Sequence, residues 1–430
     1  MSLSPLSIEK TDKKNRYIIK IFNIKIKIKL SGTYIIHSLI KCCTPLFRLL
    51  DKVVPKKNNK VVFTSYPDFS DSAKIFYDYI NKIQQDKFKN LIWIYTEENA
   101  DSCVITRDKY YFYSIKGIYN LLTAKYIIHD HCNKVFSVLT SNKRVMFNLW
   151  HGMPIKAIGQ LDENLTKQNK RIYKYFAKTS YMFVISDVYR IILSSMFGMN
   201  PNKIYVTGQA RTDVMFDNSK QENITKELKI DTSKQIVIYT PTYKKRLKNI
   251  DVKTAYDNIF YLKDYSDQDF LKFLEQNNIL LIIKPHPFEQ EEFKNNIKKS
   301  TLSNNENVRI LYDEDFIKND LMLNEIFALS DLMISDFSSV TIDYSMLNKP
   351  ILYLNNYVDE YKQGRGFILP DNYKIMMPGE NISTYDDLKK KILECLENKH
   401  ANYTQNEVNF LHKYQDGHSC ERIFEVMKGI

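Results

Sequence analysis

Glycine is scarce in this chain, eleven residues in 430. None of the glycines fall in a G-x-G-x-x-G or a G-x-x-x-x-G-K-[ST] spacing, which disfavours a dinucleotide-dependent dehydrogenase and a P-loop ATPase. The six cysteines (Cys42, Cys43, Cys103, Cys132, Cys395 and Cys420) form no C-x-x-C pair, and no secretory leader is recognisable. Reduced thiols in a cytoplasm are therefore expected, rather than a disulfide framework. No apolar run reaches the roughly 18 residues that crossing a bilayer requires. Acidic residues are nearly missing from the first 60 positions, which hold 14 Lys and Arg against 3 Asp and Glu; the rest of the chain holds 48 against 47. The formal charge of +12 is thus a basic end on a nearly neutral body. A nucleic-acid enzyme carries its positive field over its working cleft, so no nucleic-acid partner is expected.

What is present is ample apolar material, 44% of residues, and a length that calls for two domains. The basic end contains IIKIFNIKIKIKL at 18–30, which alternates in strand period, and an apolar stripe at helical spacing over 34–54. Such a segment suits an anionic lipid surface, where each Lys or Arg adds about 1 kcal/mol. Beyond it, short apolar runs alternate with helical stretches. VVFTS at 61–65, LIWIY at 91–95, YYFYS at 110–114, KYIIHDH at 125–131, RVMFNLW at 144–150, YMFVIS at 181–186 and KIYVTG at 203–208 read as one set of strands. After a polar break near 220 the rhythm restarts with QIVIYTPTY at 235–243, ILLIIKPHP at 279–287, VRILY at 308–312, DLMISDF at 331–337 and PILYL at 350–354. This pattern predicts an α/β chain of two doubly wound, Rossmann-like domains facing a central cleft. The expected boundaries are 1–58 for a basic arm, 59–218 for the first domain, 219–405 for the second and 406–430 for a closing helix.

Polar clusters stand at the strand ends, where α/β proteins keep their chemistry. One is LWHGMPIKAIG at 149–159, with His151 between a tryptophan and a glycine. The others are the Thr240–Lys244 stretch, Lys284-Pro285-His286-Pro287, and Ser335-Asp336-Phe337-Ser338-Ser339 with Thr341 and Asp343 beyond. Prolines stiffen the KPHP loop by fixing φ. Lys284 offers a point charge to phosphate, and His286 a hydrogen bond or proton near neutral pH. Hydroxyls and N–H groups at a helix start suit an anion. Together these features point to a diphosphate pocket. The run His129-Asp130-His131-Cys132 has metal-binding residue types, but strand alternation puts His129 and His131 on one face and Asp130 on the other; no metal is expected there.

Several ordered motifs resemble the CDP-glycerol glycerophosphotransferases, the teichoic acid and capsule polyol-phosphate polymerases with a GT-B-like catalytic domain. They are VVFTSYPDFSDSAKIFYDY, AKYIIHDH, LWHGMPIKAIG, TGQARTD, YTPTYK, IIKPHP, SDLMISDFSSVTIDYSMLNKPILYL, GRGF with a later PG, and DGHSCERI. The resemblance runs from about residue 61 to the C-terminus and leaves the basic end uncovered. The chain departs from the family's pattern at Phe337, where a tyrosine is common, and at Ala210, where a proline commonly precedes the arginine.

The resemblance implies transfer of glycerol phosphate from CDP-glycerol to an acceptor hydroxyl with release of CMP. His151 would be the general base, and His286 would bind the phosphates and steady the leaving CMP. Arg211, Lys284, Ser338 and Ser339 would hold diphosphate charge. Lys156, Thr242, Asp343 and Arg365 would add donor or nucleotide contacts. No cofactor and no catalytic metal are implied, in keeping with the lack of a D-x-D or carboxylate pair in these motifs. A lipid-linked or polysaccharide acceptor at the cytoplasmic face of a bacterial membrane is implied, with residues 1–58 on the anionic surface. CDP-ribitol as donor, a GT-B glycosyltransferase using a nucleotide sugar, and a catalytically idle scaffold are the rival readings; retention of both His151 and His286 speaks against the last.

Overall fold

A computed structural model of the chain describes residues 6–10, 16–21, 24–29, 44–83, 88–97, 108–131, 134–162, 165–242, 258–297, 300–355, 357–364 and 366–430. Three antiparallel strands form near the N-terminus: β1 (Leu6–Lys10), β2 (Arg16–Ile21) and β3 (Ile24–Lys29). Their register opposes Ile19 to Ile26 and Lys20 to Lys25, so the alternating I-K run is a strand as expected.

Seven parallel strands follow: β4 (Lys57–Thr64), β5 (Asn90–Tyr95), β6 (Lys109–Tyr111), β7 (Ala124–His129), β8 (Val145–Asn148), β9 (Ser180–Val184) and β10 (Ile204–Val206). They lie in the order β10-β9-β8-β7-β4-β5-β6. A second parallel sheet holds β11 (Gln235–Thr240), β12 (Ile279–Ile283), β13 (Val308–Ile310), β14 (Leu332–Ser335), β15 (Ile351–Leu354) and β16 (Glu380–Ile382), in the order β13-β12-β11-β14-β15-β16. Each sheet winds outward from its first strand in both directions, as the expected fold class requires. Each therefore has a switch point, between β4 and β7 in the first and between β11 and β14 in the second. The strands are short apolar runs because helices cover both faces; Ile279–Ile283 is buried at every position.

Two segments differ from the sequence-based expectation. Residues 44–53 form a helix that is docked on the first sheet rather than part of a separate arm. Its fully buried Asp51 accepts from the Lys56 ammonium at 3.1 Å and from the Thr140 and Ser141 amides at 2.7 and 2.8 Å, and it pairs with the Arg144 guanidinium. Phe47 and Leu50 pack into the core beneath. The closing stretch is not one helix but two, Gln405–Leu411 and Ser419–Gly429. Between them Gly417 turns at φ +70, backed against the Phe216 side chain. The Asp213 carboxylate then takes the Ser419 and Cys420 amides at 2.9 and 2.7 Å, satisfying N–H groups that a helix start leaves orphaned. The last helix crosses back and buries Ile423, Phe424 and Met427 in the core of the first sheet.

Candidate active site

The loop after β8 and the connection between β15 and β16 meet edge to edge. The Ala157 amide donates to the Gly366 carbonyl, and the Ile368 amide to the Ile155 carbonyl, both at 3.0 Å, so that Lys156 opposes Phe367 in an antiparallel bridge. The HGMPIK and GRGF motifs are therefore neighbours across the two halves. Arg365 itself lies outside the described residues.

His151 sits at the start of that loop, half-buried. Its Nδ1 is 3.0 Å from the Asp130 carbonyl oxygen. A carbonyl only accepts, so Nδ1 carries the proton and Nε2 keeps its lone pair. Among the described residues Nε2 has no hydrogen-bond partner. The ring stacks face-on against His131, with centroids 3.6 Å apart and planes 20° apart. Burial first, then the His131 ring, push its pKa down to about 3, so the imidazole is neutral. Gly152, at φ +120, follows because a Cβ there would come within 2.5 Å of Arg211 Nη2.

Arg211 links the halves. Its Nη1 donates to the His151 carbonyl at 2.7 Å and lies 3.4 Å from Asp71 Oδ2; its Nη2 lies 2.5 Å from Asp343 Oδ2, on the second sheet's side. Asp343 is wholly buried and also accepts from Asn324 Nδ2 at 3.2 Å. It anchors an arginine rather than lining open donor space. Three carboxylates converge here with different fates. Burial and the Asp71 charge push Asp130 well above its usual range, and burial raises Asp343. Burial pushes Asp71 up too, but the Arg211 guanidinium leads the groups that outweigh it and hold this half-buried carboxylate below its usual value.

On the second sheet, Thr242 bridges the switch point. Its amide and hydroxyl donate to the Asp336 carboxylate at 2.9 and 2.8 Å, and its hydroxyl also contacts the Tyr361 hydroxyl. Thr242 is thus buried and saturated. Lys156 reaches over the Tyr361 ring, 4.5 Å from the centroid. His286 is half-buried at the end of the KPHP loop, and its Nδ1 accepts the Phe288 amide at 3.2 Å. An N–H only donates, so the neutral ring carries its proton on Nε2, the reverse of His151. Burial, then Lys156 and Lys284, push its pKa down to about 4. Lys284 points away from an open site: Nζ lies 2.7 Å from Asp313 Oδ1 and 3.0 Å from the Pro285 carbonyl. Ser338 and Ser339 follow Asp336 and Phe337, with Ser339 at the start of the helix Val340–Ser345; among the described residues neither hydroxyl has a partner.

The structure thus gathers His151, Arg211 and Asp343 in one cluster and Lys156, Thr242 and His286 in another, joined by the stitched loops. Sequence reasoning missed Asp71, Asp130 and His131. The alternation argument failed because β7 ends at His129. His129 stays in the core between Phe136 and Phe176, while His131, past the strand end, turns to stack on His151. The position of this run beside the first sheet's switch point was the available signal.

Comparison with known proteins agrees with this architecture. The chain is 26% identical to the teichoic acid glycerol-phosphate primase of Bacillus subtilis (strain 168), over 77% of this chain and 80% of that one. It is equally 26% identical to the teichoic acid ribitol-phosphate polymerase TarL of Staphylococcus aureus, over 87% of this chain and 63% of the other. The solved structure of the wall teichoic acid polymerase TagF, in a variant soaked with CDPG, superposes with a TM-score of 0.71 at 21% identity, covering 92% of this chain and 96% of that one; it shares the GT-B-like fold. The sequence profile of the CDP-glycerol:poly(glycerophosphate) glycerophosphotransferases matches residues 46–428, and the chain belongs to that family of enzymes.

Proposed function

We propose that this enzyme transfers glycerol phosphate from CDP-glycerol to a hydroxyl of a teichoic-acid or capsular glycan acceptor and releases CMP. The acceptor oxygen attacks the glycerol-bearing phosphorus. The bond from that phosphorus to the bridging oxygen breaks, and CMP departs with the bond's electron pair. His151 Nε2 takes the acceptor's proton, a contribution of about 10²–10⁴-fold for a well-placed base. His286, with its proton on Nε2, donates a hydrogen bond to the diphosphate and steadies the charge on CMP. Ser338, Ser339 and Lys156 supply further donors, since phosphoryl transfer depends mainly on positioning and electrostatics. The observation that carries the reading is the opposite tautomers: one imidazole is fixed as an acceptor and the other as a donor. The low pKa of both rings keeps them neutral for this division, and the negative charge of a diphosphate beside them favours their protonated forms.

The acceptor is read as lipid-linked, with the enzyme peripheral at the cytoplasmic membrane face. Among the described residues no helix is long and apolar enough to cross a bilayer. The helix 44–53 supports surface contact, because Leu46, Leu49 and Val53 are 53%, 58% and 61% exposed at helical spacing on the basic end. A polyribitol product is the second reading, favoured by the equal identity to the ribitol-phosphate polymerase. Incubation with CDP-glycerol and, separately, CDP-ribitol, followed by CMP release and product mass, decides between them. Release from CDP-glycerol with a mass gain of one glycerol phosphate per CMP is expected; release from CDP-ribitol alone would overturn the donor assignment.

A further inference from the structure

We propose that Asp71 and His131 act with His151 as one proton-handling unit, His131 holding the base by its stacked ring and Asp71 supplying the negative charge that stabilises the base once protonated. This rests on the reading of His151 as base and names two positioning residues for it. The geometry is specific. His131 stacks on His151 at 3.6 Å between centroids, and its own Nδ1 is fixed 2.9 Å from Asp130 Oδ1. The Asp130 backbone carbonyl holds the other ring. One residue therefore ties both imidazoles, with its side chain to His131 and its main chain to His151. Asp71, at the start of the helix Asp71–Ile83, shares Arg211 Nη1 with the His151 backbone carbonyl, which ties its carboxylate to the main chain of the residue that carries the base.

The groups facing His151 are His131 and Asp130 from the end of β7, Asp71 from the helix start and Arg211 from the Ala210–Phe216 segment. Tyr66 lies edge-on to His131, with centroids 6.2 Å apart. Of the three carboxylates, Asp71 is the one whose surroundings lower its pKa, and burial keeps His131 neutral, its pKa at about 4. When His151 takes the acceptor's proton, its new charge meets a neutral stacked ring rather than a second imidazolium, and the Asp71 carboxylate offsets the Arg211 cation beside it. Asp343 takes part by competition. It draws on Arg211 Nη2 from the second sheet, and Arg211 sits at the longer distance of 3.4 Å from Asp71, leaving that carboxylate's charge available to the imidazoles.

Asp71→Asn keeps the shape and removes the charge; His131→Ala removes the stacked ring and His131→Phe restores a ring. Each is compared with His151→Ala in steady-state CMP release from CDP-glycerol, with pH profiles of kcat and a thermal melt to confirm folding. Asp71→Asn is expected to lower kcat about 10–100-fold with KM for CDP-glycerol within about threefold, and to move the acid limb of kcat to lower pH by about one unit. His131→Ala is expected to lower kcat about tenfold, with His131→Phe recovering most of the loss. A purely structural role for Asp71 would leave the acid limb where it is. If His151→Ala is inactive while Asp71→Asn and both His131 variants keep kcat within threefold and an unchanged pH profile, the unit does not exist. If His151→Ala itself stays active, the base assignment falls, and the unit with it.

Discussion

At the scale of single residues, the chain's eight histidines divide by what surrounds their rings. His129 shows the cost of a ring with no polar partner. It lies between Phe136 at 4.7 Å and Phe176 at 5.2 Å, and among the described residues neither ring nitrogen has a hydrogen bond. Burial pushes its pKa to about 3. The unfolded chain takes up a proton at this residue near pH 6.5 and the folded one does not until about pH 3. Its stability contribution is therefore complete above pH 6.5 and falls as the pH drops toward 3. His129→Phe should flatten that loss: between pH 6 and 4, thermal or urea melts of the parent should weaken relative to the variant by about 1.4 kcal/mol per pH unit. Parallel pH dependences in the two proteins would show that His129 is not held neutral. The KPHP and HGMPIK histidines were legible in the sequence because prolines and glycines mark functional loops. His131 was not, because its role depends on where β7 stops, and strand ends are decided by tertiary packing rather than by local pattern.

At the scale of elements, strand runs were legible because parallel strands must be apolar on both faces, and nearly every such run became a strand. What local pattern could not carry was the attachment of the ends. The helix 44–53 reads from sequence as part of a basic arm, yet the buried Asp51–Arg144–Lys56 cluster fixes it to the first sheet. A single aspartate among basic residues gives no sign of its distant partners. The consequence is a rigidly presented apolar stripe. Replacing Leu46, Leu49 and Val53 together with Glu leaves the docked face untouched, so CMP release in detergent should hold while flotation with vesicles of anionic phospholipid falls at least tenfold. Undiminished flotation would move any lipid contact elsewhere.

At the scale of the whole molecule, the two sheets share one core cluster that runs from Trp150 and Ile155 through Ile238 to Phe367 and Leu411. The two-sheet plan follows from the restart of the strand rhythm, but this continuity does not, because it depends on loops that meet only after folding. Asp343 illustrates the difference. The family resemblance implied a donor contact for it, whereas the folded chain uses it to hold Arg211 across the halves. Asp343→Ala leaves Arg211 short of a counter-charge in a buried site and should cost about 3–5 kcal/mol, read as a lower urea midpoint. A midpoint unchanged from the parent would mean that the halves are held together without this pair.

The central claim is that one imidazole receives the acceptor's proton while the other steadies the departing nucleotide. The most direct measurement is single-turnover CMP release by His151→Ala, with CDP-glycerol binding measured on the same preparation. Binding within about threefold of the parent, together with a release rate lower by about 10²–10⁴-fold, is the result this account predicts. Release at the parental rate would contradict it.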